Sequence, residues 1–349
     1  MRVLHVKRSL LIVLGIESTC DETGVAVVQD GQHILSNVIA SSADIHEKYG
    51  GVFPELACRR HFEVILPLIE EAIQQAGTSP GQIDLIAVAK GPGLVGALLI
   101  GMSVAKGLSI AWNKPFLGIN HIEAHLYAGM MGLPQIPFPA LGVVLSGGHT
   151  LLLKILEVGH YEPLGTTVDD AIGEAFDKVA VLLGLPYPGG PPVEQMAKRG
   201  DPKKHSFSAG KIKQRPLDFS FSGLKTKVLY TLREEGVNHA DVAASFQETA
   251  FKDVIHKARL ATQTFPCQAI FFGGGVCNNQ RLQKMFAEAF LDLPLFWPPF
   301  HLCLDNAAMI AGLGAKKFLG VGDPLDLEVQ PRVVYQRKDA TPPRRGENL

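Results

Sequence analysis

The chain has 349 residues, 46% of them hydrophobic, and a formal net charge of −1; that is enough for two ordinary cores and excludes a small stapled scaffold or a disordered chain. The near-zero charge excludes a uniformly basic nucleic-acid coat while leaving room for a local basic patch. The cysteines, Cys20, Cys58, Cys267, Cys277 and Cys303, are odd in number and form no CxxC pair, so neither a disulfide framework nor a thiolate zinc site is expected, and a cytoplasmic location fits.

The N-terminus, MRVLHVKRSLLIVLGIES, sets basic residues ahead of an apolar run, as a secretory leader does. The run from Leu10 to Leu14 is short, soon meets Glu17 and lacks a small-residue cleavage site, so a first buried strand is expected instead. No segment reads as the ~18 apolar residues of a membrane span, and no membrane partner is expected.

Residues 10–42 read as an antiparallel meander, LLIVLGIE, VAVVQDG and HILSNVIAS, with the polar turn STCDETG after its first strand. RRHFEVILPLIEEAIQQAG (59–77) follows as an amphipathic helix. Next come IDLIAVAKGPG, a strand ending in glycines, a helix of small and apolar residues to about Ala111, and KPFLGIN. Residues 139–168 repeat the meander as PALGVVLSGGHT, LLLKILEVG and HYEPLGTTV. QAIFFGGGVCNN, QRLQKMFAEAF and LPLFWPPF then repeat the glycine-ended strand, the helix and the short strand. The chain is therefore expected to hold two similar α/β halves.

In the first half the repeat ends in NHIEAHLY, where His121 and His125 stand four apart, on one face of a helix and within reach of one metal ion. In isolation such a pair is more often two polar residues on a half-buried helix. The zinc-protease pattern needs a glutamate directly after the first histidine, but Ile122 stands there. At about 100° per residue Glu123 points away from His121. In the second half the matching helix begins near Asp305. Two halves facing one cleft would make Asp305 a third ligand, although local sequence alone favours it as an N-cap.

Three glycine clusters, at 18–24, SGGHT (146–150) and GGGVCNN (273–279), have backbone amides able to cradle an anion. None is a P-loop, and each singly reads as a tight turn. At corresponding places in two halves, however, they suggest a nucleotide in the cleft. Between the repeats, 169–200 reads as an amphipathic helix stopped at Gly184, carrying Asp177 with surface solvation as its default, and then a Pro/Gly loop. In 198–227 the basic residues Lys198, Arg199, Lys203, Lys204, Lys211, Lys213, Arg215, Lys225 and Lys227 face only Asp201 and Asp218. Phe207, Phe219 and Phe221 are interleaved among them, a composition that suits phosphate contact and base stacking as well as a solvated loop. The tail from Lys338 reads as disordered.

GIESTCDETGVAVV, YGGVFPELACRRH, GPGLVGALLIG, NHIEAH, LSGGHT, DDAIGEAFDKVA, YPGGP, FSFSGLKT, GGGVCNN and LCLDNAAMIA occur in this order. Together they resemble the TsaD family of tRNA N6-adenosine threonylcarbamoyltransferases over roughly residues 11–320, its bacterial branch and organellar relatives most of all. The resemblance implies the actin/Hsp70/sugar-kinase (ASKHA) fold, with a βββαβα core in each of two lobes. The lobes are expected at 1–138 and 139–325, the second with a basic insertion at about 198–227, and a partly disordered extension at 326–349. It implies transfer of the threonylcarbamoyl group from threonylcarbamoyl-AMP to N6 of adenosine 37 in tRNAs reading codons that start with A, with release of AMP.

By the same resemblance His121, His125 and Asp305 hold one divalent ion, iron or zinc. Val144, Leu145, Ser146, Gly147 and Gly148 contact the phosphate region of the adenylate, or of ATP or ADP. Asp177, Gly190, Glu194 and Asn279 lie around ribose and base. Implied partners are tRNA and, in bacteria, a TsaB-like paralogue and a TsaE-like ATPase, or a second copy in a homodimer. Three rivals are a metallopeptidase, an ATPase or sugar kinase of the same fold, and a non-catalytic scaffold.

Overall fold

A computed structural model describes residues 10–42 and 52–332. The basic N-terminus, residues 49–51 of the YGG motif and the tail from Lys338 lie outside the described residues. The first half contains β1 (Ile12–Glu17), β2 (Glu22–Gln29), β3 (His33–Ser41), α1 (Pro54–Gln75), β4 (Leu85–Gly91), α2 (Val95–Trp112), β5 (Phe116–Asn120) and α3 (His121–Ala128). Its sheet runs β3-β2-β1-β4-β5, with β1 antiparallel to β2 and parallel to β4. Flanked on both edges and covered on both faces, β1 is buried from Val13 to Glu17 and so reads as an apolar run without alternation.

The second half contains β6 (Ala140–Leu145), β7 (Thr150–Glu157), β8 (His160–Thr166), α4 (Ile172–Leu182), α5 (Gly190–Ala197), α6 (Ser222–Thr231) and α7 (His239–Thr262). There follow β9 (Ile270–Gly273), α8 (Gln280–Ala289), β10 (Leu295–Phe296), α9 (Phe300–Cys303) and α10 (Ala307–Lys317). The order β10-β9-β6-β7-β8 reproduces the first sheet strand for strand. The repeat read from sequence is thus a repeat of topology.

Three local readings change. The Pro/Gly loop after α4 holds a helix, α5, because its prolines occupy the first turn, where a missing N–H costs no helical bond. Phe219 and Phe221 are fully buried in the second-half core and are unavailable for base stacking. Lys225 pairs with Asp170 and Arg215 with Asp218, leaving Lys198, Arg199, Lys203, Lys204, Lys211 and Lys213 among the exposed cations. Finally, α2 does reach membrane-span length and composition, with mean hydropathy 1.6 over 18 residues. It is the crossover between parallel strands β4 and β5, and its Ala97, Leu98, Gly101, Met102 and Ala105 are buried within the lobe.

The last helix, α10, leaves the second sheet and packs across β1, β2 and β4 of the first, and against α3. A continuous core joins Val13 and Ala87 to Leu126, to Val144 and Phe271, and to Met309 and Leu313. Gly15 makes this approach available, since a Cβ there would lie 2.3 Å from the Ala307 carbonyl oxygen. Beyond α10 the chain stays on the first half, where Asp323 accepts from the Gly118 amide at 2.8 Å and Gln330 donates to the Lys90 carbonyl. A Gly15→Ala substitution should cost about 1–3 kcal/mol, as overpacking does, lowering the urea midpoint; an unchanged midpoint would mean that the contact is loose.

Candidate metal centre and nucleotide cleft

β5 runs directly into α3. The Asn120 carboxamide oxygen accepts from the Ile122 and Glu123 amides and so caps the helix. His121 and His125 project from one face, with their Nε2 atoms 3.1 Å apart. Across the cleft, Asn306 caps α10 by accepting from Met309 N. The cap therefore belongs to Asn306, and Asp305 is released: its Oδ1 lies 3.0 Å from His125 Nε2 and 3.5 Å from His121 Nε2. Ligands about 2.05 Å from a tetrahedral ion sit about 3.3 Å apart, which matches these spacings.

Glu17, fully buried at the end of β1, accepts at 2.9 Å from His121 Nδ1. A carboxylate that accepts fixes the proton on Nδ1 and turns the Nε2 lone pair of the neutral ring toward His125 and Asp305. Thr19 Oγ1 stands 3.4 Å from His121 Nδ1 and 3.5 Å from Asp305 Oδ2, and its amide donates to Glu17. The buried Nδ1 of His125 has no hydrogen-bond partner. Burial lowers the His121 pKa, but Glu17 and Asp305 outweigh it and hold the imidazolium up to about 9. Burial would raise Asp305, yet His121 and the His125 hydrogen bond hold its carboxyl well below the usual range. The converging donors thus demand a positive charge, and a divalent ion would displace the proton that otherwise supplies it. Two imidazole nitrogens and one carboxylate oxygen suit iron or zinc. Glu17 and Thr19 escaped the sequence reading; the signal available was their place at the C-terminal end of a central strand, where ligands of open α/β sheets gather.

Beside this triad lies the β6–β7 hairpin. Val144 and Leu145 are buried strand residues, Ser146 accepts from His149 N, and Gly147 and Gly148 are exposed, with open space where a side chain would stand. Burial, then the charges of His121 and His125, lower His149 to about 4, so this ring is neutral at physiological pH. Two glycines press the hairpin and α3 together. A Cβ on Gly273 would lie 2.8 Å from the His125 carbonyl, and one on Gly274 (φ +97°) 2.4 Å from the Leu145 oxygen.

Asp177 is no solvated surface acid. It accepts from Gly189 N at 2.7 Å, bracing the loop that leads to Gly190 at the start of α5, where space is open. Glu194 on α5 accepts from Gln280 N at 2.9 Å. Asn279 caps α8 and donates to Gln247, so the side chains of Glu194 and Asn279 both hold protein partners. Asp177 is thus tied beside Gly190, Glu194 is tied beside Asn279, and the Asp21 charge of the turn 18–23 reaches Asp177 and Tyr187. Burial, then Asp21 and Asp305, raise Glu22 to about 10. Glu123 pairs with Lys317 at 2.9 Å, away from the triad.

Residues 33–312 match TsaD, tRNA N6-adenosine threonylcarbamoyltransferase. The chain belongs to this family. It is 55% identical to a tRNA N6-adenosine threonylcarbamoyltransferase of Protochlamydia amoebophila, covering 93% of this chain and 99% of that one. With the enzyme of that name from Anaeromyxobacter dehalogenans it shares 46% identity, over 88% and 94% of the two chains. Among solved structures, full-length HypF in its phosphate- and nucleotide-bound form aligns with TM-score 0.62 at 12% identity, over 87% of this chain and 46% of that one. An ROK hexokinase from Thermus thermophilus aligns with TM-score 0.52 at 16% identity, over 87% and 97%. These likenesses show the fold, an actin-like, sugar-kinase-like α/β architecture.

Burial, together with the charges of Asp21 and Glu174, raises Asp177 from 3.8 to about 6. The folded state therefore keeps a proton that the unfolded chain releases, and this residue's contribution to stability is lost as pH rises from about 4 to about 6. Unfolding titrations of Asp177→Asn should show a flatter pH dependence in that window than the parent; identical slopes would contradict the assignment.

Proposed function

We propose that this protein transfers the threonylcarbamoyl group of threonylcarbamoyl-AMP to N6 of adenosine 37 in tRNAs reading codons that begin with A. The observation that carries the reading is the juxtaposition, in a TsaD-family chain, of a three-donor cluster with the open amides of Gly147 and Gly148. In the reaction the N6–C bond forms, the bond from the carbamoyl carbon to the phosphate oxygen breaks with its electron pair leaving on AMP, and N6 gives up a proton. The amine is a weak nucleophile because its lone pair is delocalised, so placement is the protein's main task. The backbone of Val144 to Gly148 would hold the phosphate, with Asp177, Gly190, Glu194 and Asn279 forming the ribose and base wall. His149 is uncharged and close to the triad, and would line the site as a neutral ring. A divalent ion, iron or zinc, held by His121, His125 and Asp305 would polarise a donor oxygen, worth several kcal/mol in comparable sites.

The exposed cations from Lys198 to Lys213 support contact with the tRNA phosphates in a cytoplasmic setting. A metallopeptidase would need Glu123 beside the ion rather than on Lys317, and a kinase leaves the histidines without a task. Purified protein, synthetic threonylcarbamoyl-AMP and unmodified tRNA, with auxiliary subunits added, should give modified adenosine by nucleoside mass spectrometry. His121→Ala, His125→Ala and Asp305→Ala should each lose about 100-fold or more in turnover, as removal of an interaction made in the transition state does; folded variants with wild-type turnover would refute the metal assignment.

The outer faces of α1 and α2 expose Phe62 (76%), Leu66 (55%), Val95 (55%) and Leu99 (50%). These exposed apolar side chains on two adjoining helices support docking of a TsaB-like paralogue there, with a TsaE-like ATPase joining the pair. Phe62→Glu with Leu99→Lys should abolish co-elution with that paralogue. Intact assembly would remove the proposal, and a homodimer broken by the same changes would replace the paralogue with a second copy.

A further inference from the structure

The turn 18–23, which follows Glu17, touches the metal ligands through Thr19, and its Asp21 charge reaches Asp177 in the second half. Its backbone is held from outside at several points. Leu94 N donates to the Thr19 carbonyl, Ser42 donates to the Asp21 carbonyl, and Ser18 Oγ donates to the Ala97 carbonyl. A further hold comes from α1. His61, 1% exposed, reaches both arms of the turn, with Nε2 3.0 Å from the Cys20 carbonyl and Nδ1 2.7 Å from Thr23 Oγ1.

A carbonyl only accepts, so Nε2 carries the proton. In the neutral ring Nδ1 then accepts from the Thr23 hydroxyl. One imidazole therefore closes the turn like a clasp. It does so from α1, where the next residue, Phe62, is largely exposed.

We infer that His61 is a positioning residue for the transfer reaction: it fixes the turn so that Thr19 meets His121 and Asp305, and it makes the seat of α1 an input to the metal centre. A partner resting on Phe62 and Leu66 would then act on the site through a two-bond link. The inference rests on the proposed transferase activity only for its kinetic readout, because the ligand geometry can be read independently in cobalt(II)-substituted protein.

The experiment compares His61→Phe, Thr23→Val, the double variant and His61→Gln, which retains a donor for the Cys20 carbonyl. Melting temperature, kcat, KM for tRNA and the cobalt d–d absorption are recorded for each. Removing one partner of a buried pair leaves the other unsatisfied, whereas removing both can be nearly neutral. His61→Phe should lose about tenfold in kcat with KM nearly unchanged and should shift the cobalt bands. The double variant should regain melting temperature without regaining kcat or the parent spectrum, and His61→Gln should recover much of both. A parent-like spectrum and kcat in His61→Phe, or a kcat that returns in step with melting temperature in the double variant, would overturn the inference. If the parent protein transfers nothing, the transferase reading fails, and the cobalt spectra alone then decide the role of His61.

Discussion

The hydrogen bond from His121 Nδ1 to the buried Glu17 carboxylate is the constraint from which the centre follows. It commits one nitrogen of the ring to the protein and presents the other to His125 and Asp305. Three electron-rich atoms are thereby brought together, the two imidazoles buried and Asp305 half-buried. Such a cluster is stable only around a positive charge. Burial disfavours the charged His121 ring, but the neighbouring Glu17 and Asp305 carboxylates favour it more strongly. An ion held by these three donors would have the β6–β7 hairpin close by, since His149 of that hairpin feels the charges of His121 and His125.

The duplicated architecture explains how residues 180 or more positions apart in sequence arrive there. In each half a parallel strand leads on to a helix, directly from β5 to α3 and through α9 from β10 to α10, and the starts of α3 and α10 meet at the triad. The last helix then crosses onto the first sheet, admitted by Gly15 against Ala307. Asp305 is therefore delivered to the first half by packing of its own helix, and the two histidines by a helix buried between the sheets. The helices that carry the three side chains share one continuous core with both sheets, so the geometry of the centre is tied to that core.

Much of this was legible in the sequence because the signals were periodic or chemical. Apolar runs marked the central strands, the meanders repeated in order, and the HxxxH pair required a helix. Asp305 was ambiguous because cap and ligand have the same local sequence; the structure separates them by giving the cap to Asn306. Phe219 and Phe221 were read beside lysines as groups suited to stacking, yet both turn inward on either side of Ser220 and pack into the second-half core. Glu17 was marked only by its place at the end of a central strand, and the role of His61 by no pattern in the sequence. Each acts on a residue far away in sequence, His121 for Glu17 and the turn 18–23 for His61, and no periodicity reports such a pairing.

The most direct measurement is the anomalous-diffraction structure of the protein with its metal and a non-hydrolysable analogue of the acyl adenylate. The account predicts one strong peak about 2.0–2.2 Å from His121 Nε2, His125 Nε2 and an Asp305 oxygen, with the analogue's phosphate on the amides of Gly147 and Gly148. A peak elsewhere, or an analogue bound away from the hairpin while those three side chains stay without an ion, would contradict it.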